Sequence, residues 1–219
     1  MALLVCLANS HKHGERCIAG KRLDTGAWVR PVSGLEHGEI AWDMRRVDWR
    51  EPQVLDVLDV PLEGGGPDYG CQPENRLLAP GAWRKAGEAA PDDILKYVDT
   101  IEDRALFYNY VDRVPMTLFR RLPRGRWRSL QLVHCGGVDF HPDARKPQDW
   151  RATFQYREAQ YADLKVTDPV AEIRLARGER LDGPCLLTLS LGMPFRPTGS
   201  LREYCFKLVS GVICLNDAW

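Results

Sequence analysis

Short apolar segments, each followed by Gly, Pro, Asn or Asp, recur along most of this chain of 219 residues. Short segments of this kind, rich in β-branched and aromatic residues and bounded by turn residues, are typical of β-strands. The pattern predicts strands at residues 3–7, 17–19, 28–32, 53–60, 116–121, 130–138, 151–156, 161–166, 185–191 and 204–213. The chain is therefore predicted to be mainly β.

Three segments depart from the strand pattern. Pro91 and two following aspartates precede apolar residues at helical spacing, which predicts a helix from residue 91 to about residues 104–110. A second short helix or turn is predicted from Asp168 to Arg177. Residues 61–67 include three consecutive glycines, and we predict a loop there because such a run holds neither a strand nor a helix.

The predicted strands fall into two groups of about five, one in each half of the chain. Five short strands joined by turns are enough for a small Greek-key barrel. The prediction is therefore two small Greek-key barrels packed together, with one or two short helices. The first domain is predicted at residues 1–111, including the first helix, and the second at residues 112–219. A β-sandwich fits the same pattern and stays open as an alternative.

The composition argues against a membrane protein. Apolar residues make up 44% of the chain and charged residues 27%, and no apolar run approaches the roughly 18–20 residues of a membrane-spanning helix. The N-terminal apolar segment has no basic residues before it, which predicts a core strand rather than a signal peptide. We expect a cytoplasmic location and no membrane partner.

Cysteine usage gives no sign of a metal site. The seven cysteines are an odd number, lie far apart and include no CxxC pair. This pattern predicts reduced, buried thiols, and we predict neither a metal nor a cofactor.

Charge is balanced overall but unevenly distributed. The 30 basic and 30 acidic residues cancel, which excludes a uniformly basic nucleic-acid-binding domain. Residues 113–151, however, contain nine Arg or Lys and only three acids. One portion of the chain is therefore locally basic.

Polar side chains follow the first predicted strand: Asn9, Ser10, Lys12 and Arg16. Asn and Ser supply donors and acceptors for a base edge, and Lys and Arg suit a phosphate. We predict that all four contact nucleic acid. The alternative is a turn between strands, closed by Asn9 and Ser10, with Lys12 in solvent.

Trp28 and Arg30 are two residues apart, so they share one face of a predicted strand. Both are predicted to contact nucleic acid, with Trp28 stacking on a base beside a phosphate bound to Arg30. The alternative places Trp28 in the core and pairs Arg30 with an acid, and for Trp28 we favour that alternative.

The densest basic segment is residues 120–128, which hold five arginines and one tryptophan around Pro123 and Gly125. Arginine forks bind phosphates and a tryptophan face binds a base. The predicted nucleic-acid contacts in this segment are Arg124, Arg126, Trp127 and Arg128. The alternative is a solvated hairpin whose arginines pair with the acidic helix before it.

Catalysis has little support in the sequence. His134, Cys135, Asp139 and His141 lie close together in the sequence, but Cys135 follows apolar residues of a predicted strand, where a buried thiol is inert. No set of convergent carboxylates is visible, and we predict no catalytic residue.

Several motifs together resemble a known family. They are CLANS at residues 6–10 with Lys12 and Gly14, RCIAG at 16–20, WVRPVS at 28–33, VTDP at 166–169, SLGMPF at 190–195 and YCFKLV at 204–209. This set resembles the prokaryotic dual OB domain family. The resemblance implies a pair of OB-like barrels and a role in binding nucleic acid, although OB folds serve many functions.

Three functions follow as hypotheses. The leading one is a non-catalytic module that binds RNA or single-stranded DNA and acts beside an effector protein. The second is a sensor whose pocket binds a small nucleotide or modified base. The third is an enzyme that processes nucleic-acid ends.

Overall fold

The computed structural model describes residues 1–181 and 183–216. The chain forms two compact units. Unit 1 comprises Met1–Pro67 and Glu74–Tyr97, and unit 2 comprises Asp68–Pro73 and the chain from Val98 onward. The chain passes from unit 1 to unit 2 for the last time after Tyr97. The sequence, by contrast, predicts a domain boundary at residue 111.

Unit 1, every residue of which is described, is built on one curled seven-stranded sheet. Its strands are β1 (Ala2–Lys12), β2 (Glu15–Arg22), β3 (Trp28–Val32), β4 (Asp56–Val60), β5 (Leu62–Gly65), β6 (Asn75–Leu78) and β7 (Arg84–Glu88). They lie in the order β5-β6-β3-β2-β1-β4-β7. Only β3 and β6 pair in parallel. The short helices are α1 (Trp42–Arg45) and α2 (Pro91–Ile94).

The centre of this sheet requires a glycine. Gly20 of β2 lies opposite Cys6 of β1, where the pairing of the two strands is interrupted by a bulge. A methyl group at Gly20 would overlap the carbonyl oxygen of Val5, so only glycine allows this close approach. The buried core of unit 1 comprises Ala2, Leu4, Cys6, Ile18, Val29, Ile40, Val47, Leu58, Val60 and Trp83.

Unit 2 also contains one curled sheet within its described residues. Its strands are β8 (Arg113–Pro115), β9 (Leu130–Cys135), β10 (Val138–Pro142), β11 (Trp150–Tyr156), β12 (Ala159–Val166), β13 (Cys185–Leu191) and β14 (Tyr204–Cys214). The order is β10-β11-β12-β14-β13-β9, with β8 on β14. The helices are α3 (Met116–Phe119) and α4 (Pro169–Ala176). The fold is thus mainly β, as predicted.

One buried tyrosine organises the core of unit 2. The ring of Tyr161 stacks on Phe154 with centroids 5.7 Å apart, and its hydroxyl accepts a hydrogen bond of 2.7 Å from the Leu106 backbone. Gln131 accepts another from the Phe107 backbone at 3.2 Å. These bonds hold a 3₁₀ turn at Leu106–Tyr108 against the sheet.

The VTDP motif explains where α4 begins. Asp168 is buried, and its Oδ1 accepts hydrogen bonds from the backbone of Val170 and Ala171 in the first turn of the helix. Its Oδ2 accepts a third from the Val212 backbone in β14. The aspartate therefore caps the helix and ties it to the sheet, and the predicted short helix is confirmed.

The predicted strand at residues 116–121 is wrong. Met116 begins α3, and the turn continues with a hydrogen bond from the Leu122 backbone to the Leu118 carbonyl. Met116 and Phe119 are both buried, and their spacing of three suits a helical turn rather than a strand.

The predicted loop at residues 61–67 is wrong in part. Leu62–Gly65 forms β5 at the edge of the sheet, paired with β6. An edge strand needs hydrogen bonds on one side only, so the glycines weaken it without preventing it.

The predicted long helix after Pro91 is also wrong. Helix α2 ends at Ile94 and is followed by a 3₁₀ turn at Leu95–Tyr97. Asp99 then exchanges hydrogen bonds with Leu132 of the edge strand β9, at 2.9 Å through its backbone and 2.7 Å through its carboxylate. Pairing with a distant strand thus replaces the helix that the local pattern favours.

No helix among the described residues is long and apolar enough to cross a membrane.

Candidate functional site

The first two residues of the N-terminal polar cluster lie inside unit 1. Asn9 is 8% exposed and Ser10 is 6% exposed. Asn9 Nδ2 donates a hydrogen bond of 2.7 Å to the Pro52 carbonyl, and Ser10 Oγ donates one of 3.3 Å to the Cys17 carbonyl. Asn9 Oδ1 is buried and accepts no hydrogen bond from any described residue. These residues link the β1–β2 pair to the chain around Pro52.

The two cations of the cluster, Lys12 and Arg16, are half-buried. Arg16 Nη1 lies 2.8 Å from Nδ1 of His11, and its Nε lies 3.9 Å from Glu51. Burial alone would raise the pKa of Glu51, but hydrogen bonds from Arg45 and the charge of Arg16 lower that pKa below its ordinary value. Glu51 is therefore charged and offsets part of the positive charge of this cluster.

The side chains of Trp28 and Arg30 contact other residues of unit 1. Trp28 is half-buried, and the ammonium of buried Lys21 lies 5.1 Å from its ring centre. Arg30 is 1% exposed, and its Nη1 donates a hydrogen bond of 3.0 Å to Asn75 Oδ1 on β6. Because Arg30 is buried, it is not part of the exposed surface of unit 1.

The basic segment of unit 2 is held in shape by Tyr108. The tyrosine hydroxyl donates to the Arg126 carbonyl at 2.7 Å and accepts from the Arg128 backbone at 2.6 Å. A 3₁₀ turn at Arg124–Arg126 leads into these two hydrogen bonds. Trp127 packs edge-on against Phe119 at 5.7 Å, and its indole N–H donates to the Phe119 and Leu122 carbonyls. Trp127 is therefore an anchor of the segment.

The arginines of this segment point to solvent. Arg124, Arg126 and Arg128 are exposed. Arg124 pairs with Asp68, and Arg126 pairs with Asp103 at 3.2 Å. Arg128 donates to backbone carbonyls within the segment. The Arg126–Asp103 pair agrees in part with the alternative of arginines pairing with the acids that precede them, but Asp103 does not lie in a helix.

Two further arginines join this surface, and no motif pointed to them. Arg157, at the β11–β12 turn, donates to the carbonyls of Ile101 at 2.8 Å and Asp103 at 3.3 Å. Arg104 is exposed next to Asp103 in the chain. We call Arg104, Arg124, Arg126, Arg128 and Arg157 the arginine surface. The only sequence signal for Arg157 is its position between the predicted strands at residues 151–156 and 161–166.

An exposed tryptophan in unit 1 was also missed. Trp49 is 78% exposed, and the guanidinium of Arg46 lies 4.2 Å from its ring centre. Asp48 and Trp49 both have positive φ, +50° and +63°, in a two-residue turn closed by hydrogen bonds between Val47 and Arg50. Neither residue is a usual choice for such a turn, where Asn and Gly are preferred.

The surroundings of Cys135 do not suit a nucleophile. Cys135 is 1% exposed, and burial raises the pKa of its thiol to about 12, so it holds no thiolate near neutral pH. His141 lies 2.9 Å from Asp163 and 3.7 Å from Asp139. In the described part of the chain, no group of three or more His, Cys, Asp or Glu is arranged to hold a metal ion.

Comparison with known protein families identifies a match over most of the chain. A family model described as the Dual OB-containing domain matches residues 3–212 of this chain. No curated protein and no solved structure matches this chain.

Proposed function

Because this chain belongs to the family of the Dual OB-containing domain, we propose that it is a non-catalytic module that binds RNA or single-stranded DNA. OB folds commonly present a charged groove and aromatic side chains to a strand. We also propose that it acts beside an effector protein, because a module of this kind supplies binding without chemistry.

The observation behind this proposal is the arginine surface of unit 2. It contains five arginines, and two of them form ion pairs, with Asp68 and Asp103. Arg128 and Arg157 donate hydrogen bonds to backbone carbonyls, and Arg104 is exposed to solvent. No carboxylate among the described residues therefore neutralises the charge of these three arginines. A concentrated positive charge with planar donors favours a phosphate backbone.

Fluorescence anisotropy tests the proposal with labelled single-stranded RNA and DNA of about 12 nucleotides. The variant R124Q/R126Q/R128Q removes three charges from the arginine surface. We expect much weaker binding and a salt dependence, d log K/d log [salt], that is less steep by about 2, since each lost contact with a single strand removes roughly 0.7.

A matched control removes three charges elsewhere in unit 2. R145Q/K146Q/R177Q changes exposed residues outside the arginine surface and has the same net charge as the test variant. Equal loss of affinity in both variants would mean that binding depends on overall charge, and absence of binding by the unmodified protein would refute the proposal.

The unpaired Asn9 Oδ1 favours a second function, a sensor of a small nucleotide or base. A buried acceptor without a donor is costly, and the amino or imino group of a base supplies such a donor. A thermal-shift screen with mononucleotides tests this function. The sensor would be supported if a mononucleotide raised the unfolding temperature of the unmodified protein but not of N9L. Oligonucleotides should then leave the unfolding temperature of both proteins unchanged.

A further inference from the structure

Unit 2 contains a cavity whose lining includes two residues of the arginine surface. It has a volume of about 900 Å³ and is lined by Arg104, Tyr110, Arg157, Glu158 and Ala159. Ligand pockets commonly have volumes of roughly 300–1,000 Å³, so one nucleotide fits here. Asp103 connects the cavity to the basic segment, because its carboxylate pairs with Arg126 while its carbonyl accepts from Arg157.

The two arginines of the cavity are available to an anion. The Arg157 guanidinium is positioned by the carbonyls of Ile101 and Asp103, which orient it without cancelling its charge. Arg104 is exposed. Neither guanidinium pairs with a carboxylate among residues 1–181 and 183–216. Glu158 is the single acid of the lining, so the cavity has a surplus of positive charge.

Tyr110 adds an aromatic surface to these cations. It is 53% exposed, although its ring lies 6.4 Å from that of buried Tyr161. Base–aromatic stacking contributes about 1–3 kcal/mol per base in single-strand binding. The cavity thus combines a stacking residue with two phosphate-binding residues.

The backbone at Arg157 is strained as well. Its φ is +53°, a region that non-glycine residues rarely occupy. Strained positions of this kind cluster at ligand sites, where the rest of the fold holds the residue in place. Here the strained turn presents a guanidinium to the cavity.

We propose that this cavity binds the terminal phosphate of a nucleic-acid strand, with Arg104 and Arg157 on the phosphate and Tyr110 on the terminal base. A terminal phosphomonoester has a charge of about −1.5 to −2 at pH 7, whereas an internal phosphodiester has a single charge. Two unpaired arginines therefore favour the end of a strand over its interior. The inference rests on the nucleic-acid binding proposed above.

Competition binding tests the inference with three unlabelled octanucleotides of one sequence: one with a 5′-phosphate, one with a 3′-phosphate and one with neither. We expect one phosphorylated strand to bind at least about tenfold more tightly than the unphosphorylated strand. R104Q should reduce this preference to below about twofold. R145Q, which removes an exposed arginine outside the cavity, should leave it unchanged.

R157Q is a second test, and it requires a folding control because Arg157 also bonds two carbonyls. Thermal unfolding identifies any loss of structure in R157Q, whereas Arg104 makes no such bond to a described residue. The preference should also fall below about pH 6, where the phosphomonoester gains a proton.

The outcomes separate this inference from the proposed function. Equal affinity for the three strands, with weaker binding by R124Q/R126Q/R128Q, would overturn the inference and leave the proposed function standing. A preference that survives R104Q and folded R157Q would also overturn it. A mononucleotide whose binding is lost in R104Q but kept in N9L, while every strand fails to bind, would assign the cavity to a free nucleotide and refute the proposed function. Absence of all binding would refute both.

Discussion

The Lys207 ammonium group donates a hydrogen bond of 2.8 Å to the carbonyl oxygen of Leu106, from β14 to a turn about a hundred residues earlier in the chain. It donates a second of 2.6 Å to the Asn109 carbonyl and lies 5.0 Å from the centre of the Tyr161 ring. Lys207 is 1% exposed. Burial lowers the pKa of this lysine to about 7, although the charge of Asp112 acts in the opposite direction.

We therefore predict that stability rises between about pH 7 and pH 10. Below pH 7 the lysine is charged in both the folded and unfolded states, and the cost of burying that charge is fully present. Above pH 7 the folded protein releases the proton that the unfolded chain keeps, so the free energy of unfolding increases by on the order of a few kcal/mol.

Urea unfolding from pH 6.5 to 9.5 measures this effect, with K207M as the reference. The methionine variant has no ionisable group at this position, so the difference in pH dependence between the two proteins isolates Lys207. Parallel pH profiles would contradict the prediction.

Tyr108 offers a test of how the basic segment is held. Its hydroxyl bonds to Arg126 and Arg128, so Y108F should destabilise the protein by about 1–2 kcal/mol and weaken nucleic-acid binding severalfold. Y204F removes one hydroxyl from another half-buried tyrosine and serves as the control. Unchanged affinity in a destabilised Y108F would show that the shape of the segment does not matter for binding.

Asp168 should contribute strongly to stability. D168A leaves three backbone N–H groups, those of Val170, Ala171 and Val212, without an acceptor. We expect a loss of about 3 kcal/mol or more, since it combines a lost helix cap with a buried unsatisfied donor. D92A, at an exposed position in the first turn of α2, should cost less than about 0.5 kcal/mol. Chemical denaturation of both variants provides the comparison.

The turn at Asp48 and Trp49 should be more stable with glycine. W49G relieves the positive φ of Trp49, and we expect a gain of about 1 kcal/mol in the free energy of unfolding. W49V places a β-branched side chain at the same φ and should destabilise the protein. A large loss of stability in W49G would instead show that the contact between Trp49 and Arg46 outweighs the strain.

The sequence by itself identified most strands with a local apolar pattern, the short helix or turn that begins at Asp168, and the family. Several residues of its motifs have structural roles in the folded chain. Gly20 allows β1 and β2 to approach, Arg30 is buried against Asn75, and Asp168 begins α4. Gly20 and Asp168 stand out in a sequence because close strand pairs and helix caps impose local chemical requirements, whereas the burial of Arg30 depends on Asn75, which is distant in the chain.

Local patterns failed where a distant strand decided the outcome. Asp99 leaves a helical pattern to pair with Leu132, and Leu62–Gly65 becomes a strand because β6 lies beside it. Helical spacing and glycine content describe only what a segment favours in isolation, and long-range hydrogen bonds compensate for a weak local preference.

For the candidate site too, the sequence reveals one part and only the tertiary structure reveals the other. The cluster of five arginines at residues 120–128 is evident in the sequence. Only the tertiary structure places Arg104, Tyr110 and Arg157 around one cavity and buries Asn9 and Arg30. The physical reason is that exposure and convergence depend on which segments pack together, which is set by sheet register and core contacts between residues far apart in the chain.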